Sequence, residues 1–159
     1  MGSRSKNNLA YIAGFLDGDG SLMLQIKNRK DGRSKIRFMP TICFYQDSRH
    51  SEPLKWIRDA LGIGYLSKRN DGMSELRING YEQIKKILLD LQPFIRFKKT
   101  QTKLLLEGVN ILSERTISEL SKEQLDRMVH IILGIQNENY VTKRKKTKKE
   151  LEMVLGLTP

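Results

Sequence analysis

Leu9-Ala10-Tyr11-Ile12-Ala13-Gly14-Phe15-Leu16-Asp17-Gly18-Asp19-Gly20-Ser21 is the stretch on which the fold turns, because it carries packing surface and chemistry at once. Leu9, Ile12, Ala13 and Leu16 recur at the spacing of one apolar helical face. Ala10, Gly14 and Gly18 form a second stripe, small enough for another backbone to approach closely. The pattern predicts a helix that packs on a second helix, with Ala10, Ala13, Gly14, Asp17 and Gly18 at the contact. That helix closes on Asp-Gly-Asp-Gly, so Asp17 and Asp19 stand where the macrodipole and unpaired carbonyls already make the field negative. A carboxylate beside such carbonyls is an all-oxygen donor set, the kind that suits Mg²⁺ or Ca²⁺. An EF-hand is excluded, since Leu22 and Asn28 fall where that loop needs Gly and Glu. The four residues alone also read as a plain turn from helix into strand.

The chain has 159 residues, enough for one domain with its own core. Its 29 Lys and Arg against 18 Asp and Glu give a net charge of +11, which points to a large anionic partner, nucleic acid before membrane. No apolar run approaches membrane-spanning length, and Met1 to Lys6 lacks a signal-peptide core. Residues 1–6 read as a disordered terminus or cloning remnant, and 7–155 as a single domain. The expectation is a protein that stays, unsecreted, where it is made: bacterial or archaeal cytoplasm, or an organelle matrix or stroma. A single cysteine, Cys43, rules out an internal disulfide, and two histidines, His50 and His130, leave any metal chemistry to carboxylates.

After Ser21 the period changes to two. Met23, Gln25, Lys27 and Arg29 alternate with Leu22, Leu24 and Ile26, then a turn carrying Arg33 leads to a second alternation. There Ile36, Phe38, Pro40, Ile42 and Phe44 face one way and Arg37, Met39, Thr41, Cys43 and Tyr45 the other. Pro40 demands a strand edge or a bulge at that point. A helix is expected from Ser51 to Leu61, and a second hairpin runs from Gly64 to Ile78 through Asn70-Asp71-Gly72, with Ser67, Arg69, Glu75 and Arg77 outward. Helices follow over Tyr81 to Leu91, Phe97 to Leu112, Lys122 to Gln136 and Leu151 to Leu155. Trp56, the phenylalanines and His130 read as core or structural by their spacing. The basic segment 143–149, with Lys143, Lys146 and Thr147, reads as a phosphate-contacting tail.

The resulting class is α+β in the order αββαββα with further helices: a four-stranded antiparallel sheet covered by helices on one face. Its bare face mixes Arg and Lys with Gln25 and Glu75, a composition able to read bases in a major groove and not only to hold phosphates.

The opening stretch resembles the signature helix of the LAGLIDADG homing endonucleases, with Tyr11 to Gly20 matching position for position in type. Leu91-Gln92-Pro93-Phe94-Ile95-Arg96-Phe97-Lys98-Lys99-Thr100-Gln101 resembles that family's second marked segment, and the likeness runs from Leu9 to about Leu155. One motif implies a homodimer on double-stranded DNA that needs no other protein partner. Two such helices crossing on small residues lie about 8 Å apart or less, comparable to a minor groove about 6 Å wide. The resemblance implies Mg²⁺ held by Asp19 and the Gly18 carbonyl, with Ca²⁺ supporting binding without cleavage. It assigns catalytic water to Gln46, the scissile phosphate to Lys98, an outer basic role to His50 or its neighbour Arg49, and a structural role to Asp17. Cleavage across the minor groove, leaving 3′ overhangs at a roughly palindromic site, is the implied activity. An intron-RNA maturase or a DNA-binding regulator without cleavage is the alternative, and a basic ribosomal-type RNA binder explains the charge alone.

Overall fold

The structure is a computed structural model that describes residues 5–32, 34–139 and 144–157. Helix α1 spans Lys6–Asp19 and is capped by Ser5, whose hydroxyl accepts the Asn8 N–H at 3.2 Å. Ser5 and Lys6, expected in the irregular terminus, belong to the helix and its cap. Strand β1 (Gly20–Asn28) leaves α1 without a connecting residue and pairs antiparallel with β2 (Ile36–Asp47). A short 3₁₀ turn and α2 (Glu52–Leu61) lead to β3 (Tyr65–Lys68) and β4 (Met73–Asn79). Helices α3 (Tyr81–Leu91), α4 (Lys99–Glu114), α5 (Lys122–Glu138) and α6 (Lys148–Val154) complete the chain. Among the described residues no helix is long and apolar enough to cross a membrane.

The sheet order is β1-β2-β4-β3, all antiparallel. Pro40 sits opposite Leu24 of β1, but the β4 ladder begins only at Thr41. The proline thus falls where β2 has a neighbour on one side alone, and the missing N–H breaks no pairing toward β4. The inner sheet face supplies Leu22, Leu24, Phe38, Ile42, Phe44, Leu76 and Ile78 to the core. Ile12 and Leu16 of α1, Leu54 and Ile57 of α2, Ile84 and Leu88 of α3, Leu105 of α4 and Ile132 of α5 cover it.

Two spacing arguments fail. Phe97 is 84% exposed and Trp56 38%, where core positions were expected; Phe97 lies in the irregular link before α4, outside any helical period. His130 lies on the solvent side of α5, its Nδ1 2.8 Å from the Asp126 carbonyl oxygen, because its apolar neighbours Val129, Ile131 and Ile132 turn inward without it.

Candidate active site and nucleic-acid face

The carboxyl end of α1 is tied directly to the sheet. The Gly20 N–H bonds to the Leu16 carbonyl oxygen, and a Cβ on Gly20 would stand 2.8 Å from that same oxygen. Only glycine permits so abrupt a change from helix to strand, and the change leaves Asp19 exposed at the helix end.

The two aspartates have separate work. Asp17 accepts the backbone N–H groups of Arg96 (2.7 Å) and Lys98 (3.0 Å), and its carbonyl accepts Lys98 Nζ at 2.9 Å. It therefore fastens the link between α3 and α4 to α1 and aims Lys98. Burial pushes the Lys98 ammonium below its ordinary pKa, while the charges of Asp17 and Asp19 act to raise it. Asp17→Ala is expected to lower stability by about 2 kcal/mol, since it removes charge-assisted bonds to two backbone donors. Urea unfolding measures this directly, and an unchanged midpoint would show that the link holds itself.

Asp19 and Lys98 line a cavity of about 420 Å³ together with Gly18 and Gln101. Ser21, Met23, Tyr45, Arg69 and Met73 form the sheet-side wall, so the cavity opens onto the outer sheet face. Among the described residues no group of three His, Cys, Asp or Glu side chains is placed to hold a metal. One chain offers Asp19 with its helix-end carbonyls, and the exposed carboxylate of Glu138, at the end of α5, lines the same cavity. This all-oxygen set fits a hard cation whose other positions are filled by water, phosphate or a second copy.

Gln46, Arg49 and His50 do not line that cavity. Gln46 Oε1 accepts the Asp47 N–H at 2.8 Å. The Arg49 guanidinium is forked onto Asp47 at 2.7 and 3.0 Å and holds that carboxyl well below the usual carboxylate range. The arginine side chain is 81% exposed, and His50 is exposed beside it. The structure thus joins Asp19, Gly18 and Lys98 but sets the expected outer basic pair apart from them.

On the outer face the central strand is covered. Thr41 and Cys43 are fully buried, contrary to their expected place on a DNA-contacting surface. Longer side chains from β4 close over these short ones: Thr41 donates to Asn79 Oδ1 at 2.9 Å, and the Cys43 thiol lies 3.9 Å from Glu75. Burial lifts the Cys43 thiol to about 11 and the Tyr45 phenol to about 12. Glu75 pairs with Arg77 at 3.3 Å and accepts from Ser67 at 3.4 Å, while Arg69 binds Asp71 at 2.6 Å and stands 6.0 Å from the centre of the Tyr45 ring. Lys27, Arg29 and Arg37 are exposed, and Met23, Gln25 and Met39 are half-buried among them. Arg33 and Lys143 lie outside the described residues.

The structure adds Ser21 and Asn79 to this face. Ser21 Oγ lies 3.0 Å from the Tyr45 hydroxyl, and strand alternation with Met23 and Gln25 marks it in the sequence. Asn79 carries the same mark, since it continues the alternation of Glu75 and Arg77 to the end of β4.

The basic segment is anchored as well as charged. The Gln136 amide donates to the Lys146 carbonyl oxygen at 3.0 Å and accepts its N–H at 3.2 Å. Thr147 caps α6 by accepting the Glu150 N–H at 3.2 Å, so its hydroxyl is already engaged, and Leu151 is buried behind it.

On α1, Ala10, Gly14 and Gly18 are exposed, and a Cβ on either glycine would meet no atom within 4 Å. Ala13, expected on the same stripe, is instead fully buried, since it shares the inward face with Ile12 and Leu16. Tyr11 is 58% exposed and meets Trp56 edge-on at 5.4 Å.

The comparisons with known proteins agree with this layout. The family profile described as LAGLIDADG endonuclease matches residues 12–99. The DNA endonuclease I-CvuI of Chlorella vulgaris is 36% identical over 103 residues, covering 65% of this chain and 64% of that protein. The DNA endonuclease I-CreI of Chlamydomonas reinhardtii is 27% identical over 150 residues, covering 94% of this chain and 88% of that one. A crystal structure of the homing endonuclease I-CvuI in complex with the I-CreI target superposes with a TM-score of 0.83 at 26% identity, covering 95% of this chain and 94% of that one. With the signature helix, the sheet order and more than half of the sequence matched, the chain belongs to the LAGLIDADG endonuclease family.

Proposed function

We propose that the chain is a site-specific, double-strand DNA endonuclease that works as a homodimer with Mg²⁺ at the seam. The observation that carries this reading is one cavity, holding Asp19 and Lys98, at the end of a helix whose small-residue stripe is exposed. Packing two α1 helices on Ala10, Gly14 and Gly18 brings both Asp19 carboxylates to one axis, flanked by the exposed rings of Tyr11 and Phe97. Two sites on that axis reach one phosphate on each strand across a minor groove, which leaves 3′ overhangs. Two copies related by a two-fold axis read a roughly palindromic target.

Asp19 and the Gly18 carbonyl would hold Mg²⁺, which supplies an activated water and stabilises the leaving oxygen when bound. The Lys98 ammonium, held by Asp17, offsets charge developing on the phosphate. Gln46 retains its Nε2 as a donor toward water, since its Oε1 is taken by Asp47. The outer face meets the major groove through Gln25, Lys27, Arg37, Arg69, Glu75 and Arg77, and the +11 net charge supplies the phosphate-directed attraction. The anchored segment around Lys146 adds further phosphate contacts.

Incubation with a randomised duplex library in Mg²⁺, with sequencing of the ends and a parallel capture in Ca²⁺, tests this. Staggered 3′ overhangs at one roughly palindromic sequence are expected; selective capture with no cut would leave a binder without nuclease activity. Arg69→Ala is expected to relax preference at particular base pairs, each by about tenfold or more. Uniform weakening across all sequences in the same selection would make Arg69 a phosphate contact instead.

A further inference from the structure

Gln101 lies in the first turn of α4, three residues after Lys98, which precedes the helix as its N-cap. Both line the cavity that holds Asp19. Gln101 is only 5% exposed, and its Oε1 is buried with no hydrogen-bond partner among the described residues. An amide oxygen buried without a donor is costly, and native structures almost always satisfy such groups with protein or water. Packing gives no reason for an amide here: methionine has nearly the same length and shape and carries no such cost. The cavity of about 420 Å³, whose lining includes the polar side chains of Asp19, Ser21, Lys98 and Asn139, has room for ordered water. Lys98 Nζ has three donors, one of which goes to the Asp17 carbonyl at 2.9 Å.

We propose that Gln101 is a positioning residue for DNA cleavage: its buried oxygen accepts from a water that in turn accepts from the Lys98 ammonium. The ammonium is thereby held on two sides, by Asp17 from α1 and through water by Gln101 from α4. Without the second support it swings among several directions inside the cavity. The proposal rests on the endonuclease reading above, and it gives Gln101 no contact with metal or phosphate.

The test is single-turnover cleavage by Gln101→Met, Gln101→Glu, Lys98→Met and the double variant Lys98→Met/Gln101→Met. Each is accompanied by DNA affinity in Ca²⁺ and a thermal melt. Gln101→Met is expected to melt no lower than the wild type, bind DNA within about twofold of it, and cleave about tenfold more slowly. Gln101→Glu, which keeps an acceptor at the same reach, is expected to recover most of that loss. In the Lys98→Met background the second substitution should have little further effect, because Gln101 acts through Lys98. Cleavage by Gln101→Met within twofold of the wild type would overturn the proposal. So would losses that simply multiply in the double variant, or a loss matched by equally weakened binding. The wild type run alongside separates the two readings: if it cuts nothing, the nuclease reading fails first, whereas normal wild-type cleavage with an unaffected Gln101→Met removes this role alone.

Discussion

Asp19→Asn is expected to abolish DNA cleavage, by roughly 10³-fold or more, while the protein folds and binds DNA normally. The substitution keeps the shape of the side chain and removes the charge. No hydrogen bond or ion pair of Asp19 occurs among the described residues, and the side chain is exposed at the end of α1. Losing its charge there breaks no hydrogen bond; it gives up the attraction to the Lys98 ammonium but relieves a negative group at a negative helix terminus, so stability should hold within about 0.5 kcal/mol. Asp17, two residues earlier, is the contrast: it bonds to two backbone donors, and its loss is read in unfolding. The decisive measurement is a cleavage time course in Mg²⁺ beside a binding isotherm in Ca²⁺. Wild-type cleavage rates in Asp19→Asn would remove this carboxylate from the mechanism, and loss of binding as well as cleavage would make it a DNA contact.

The same contrast shows where the sequence speaks and where it falls silent. Period-two alternation placed both hairpins, and Pro40 announced a strand position with one neighbour, because backbone hydrogen bonding obeys local rules. Tyr81–Leu91 follows directly from its apolar spacing. Local rules fail once neighbours decide. Alternation puts Thr41 and Cys43 on the outer face correctly, but it cannot show that Asn79 and Glu75 close over them. Arg49 sits near the end of β2 as expected, yet its fork goes to Asp47, a partner two residues away that competes with any site across the fold. Ala13 and Ala10 are chemically identical in the sequence; only the roll of α1 on the core makes one buried and the other bare. Gln101 carries no sequence signal beyond its distance from Lys98, and its interest comes from an unpartnered oxygen that only packing reveals.

Gly14→Leu is expected to dissociate the dimer and with it to end double-strand cleavage. Glycine inside a helix costs about 1 kcal/mol relative to a good helix former, and Gly14 lies in the middle of α1 on an exposed face. Within one chain nothing explains that cost, since a Cβ at Gly14 would meet no atom within 4 Å. The monomer should therefore accept leucine and gain up to about 1 kcal/mol in stability from helix propensity alone. A second α1 crossing at the bare stripe would instead meet a branched side chain at the closest approach of two backbones. The expected result is a protein of single-chain mass by light scattering, with a melt at least as high as the wild-type chain at equal dilution. Its intact Asp19 and Lys98 would cut neither strand, because each site needs its partner at the axis. Ala10→Leu, one turn away on the same stripe, should act in the same direction. An unchanged dimer in both variants would place the contact elsewhere, and the exposed Tyr11, Trp56 and Phe97 would then be the surface to mutate next. A monomeric variant that still cut both strands would separate metal chemistry from the dimer altogether.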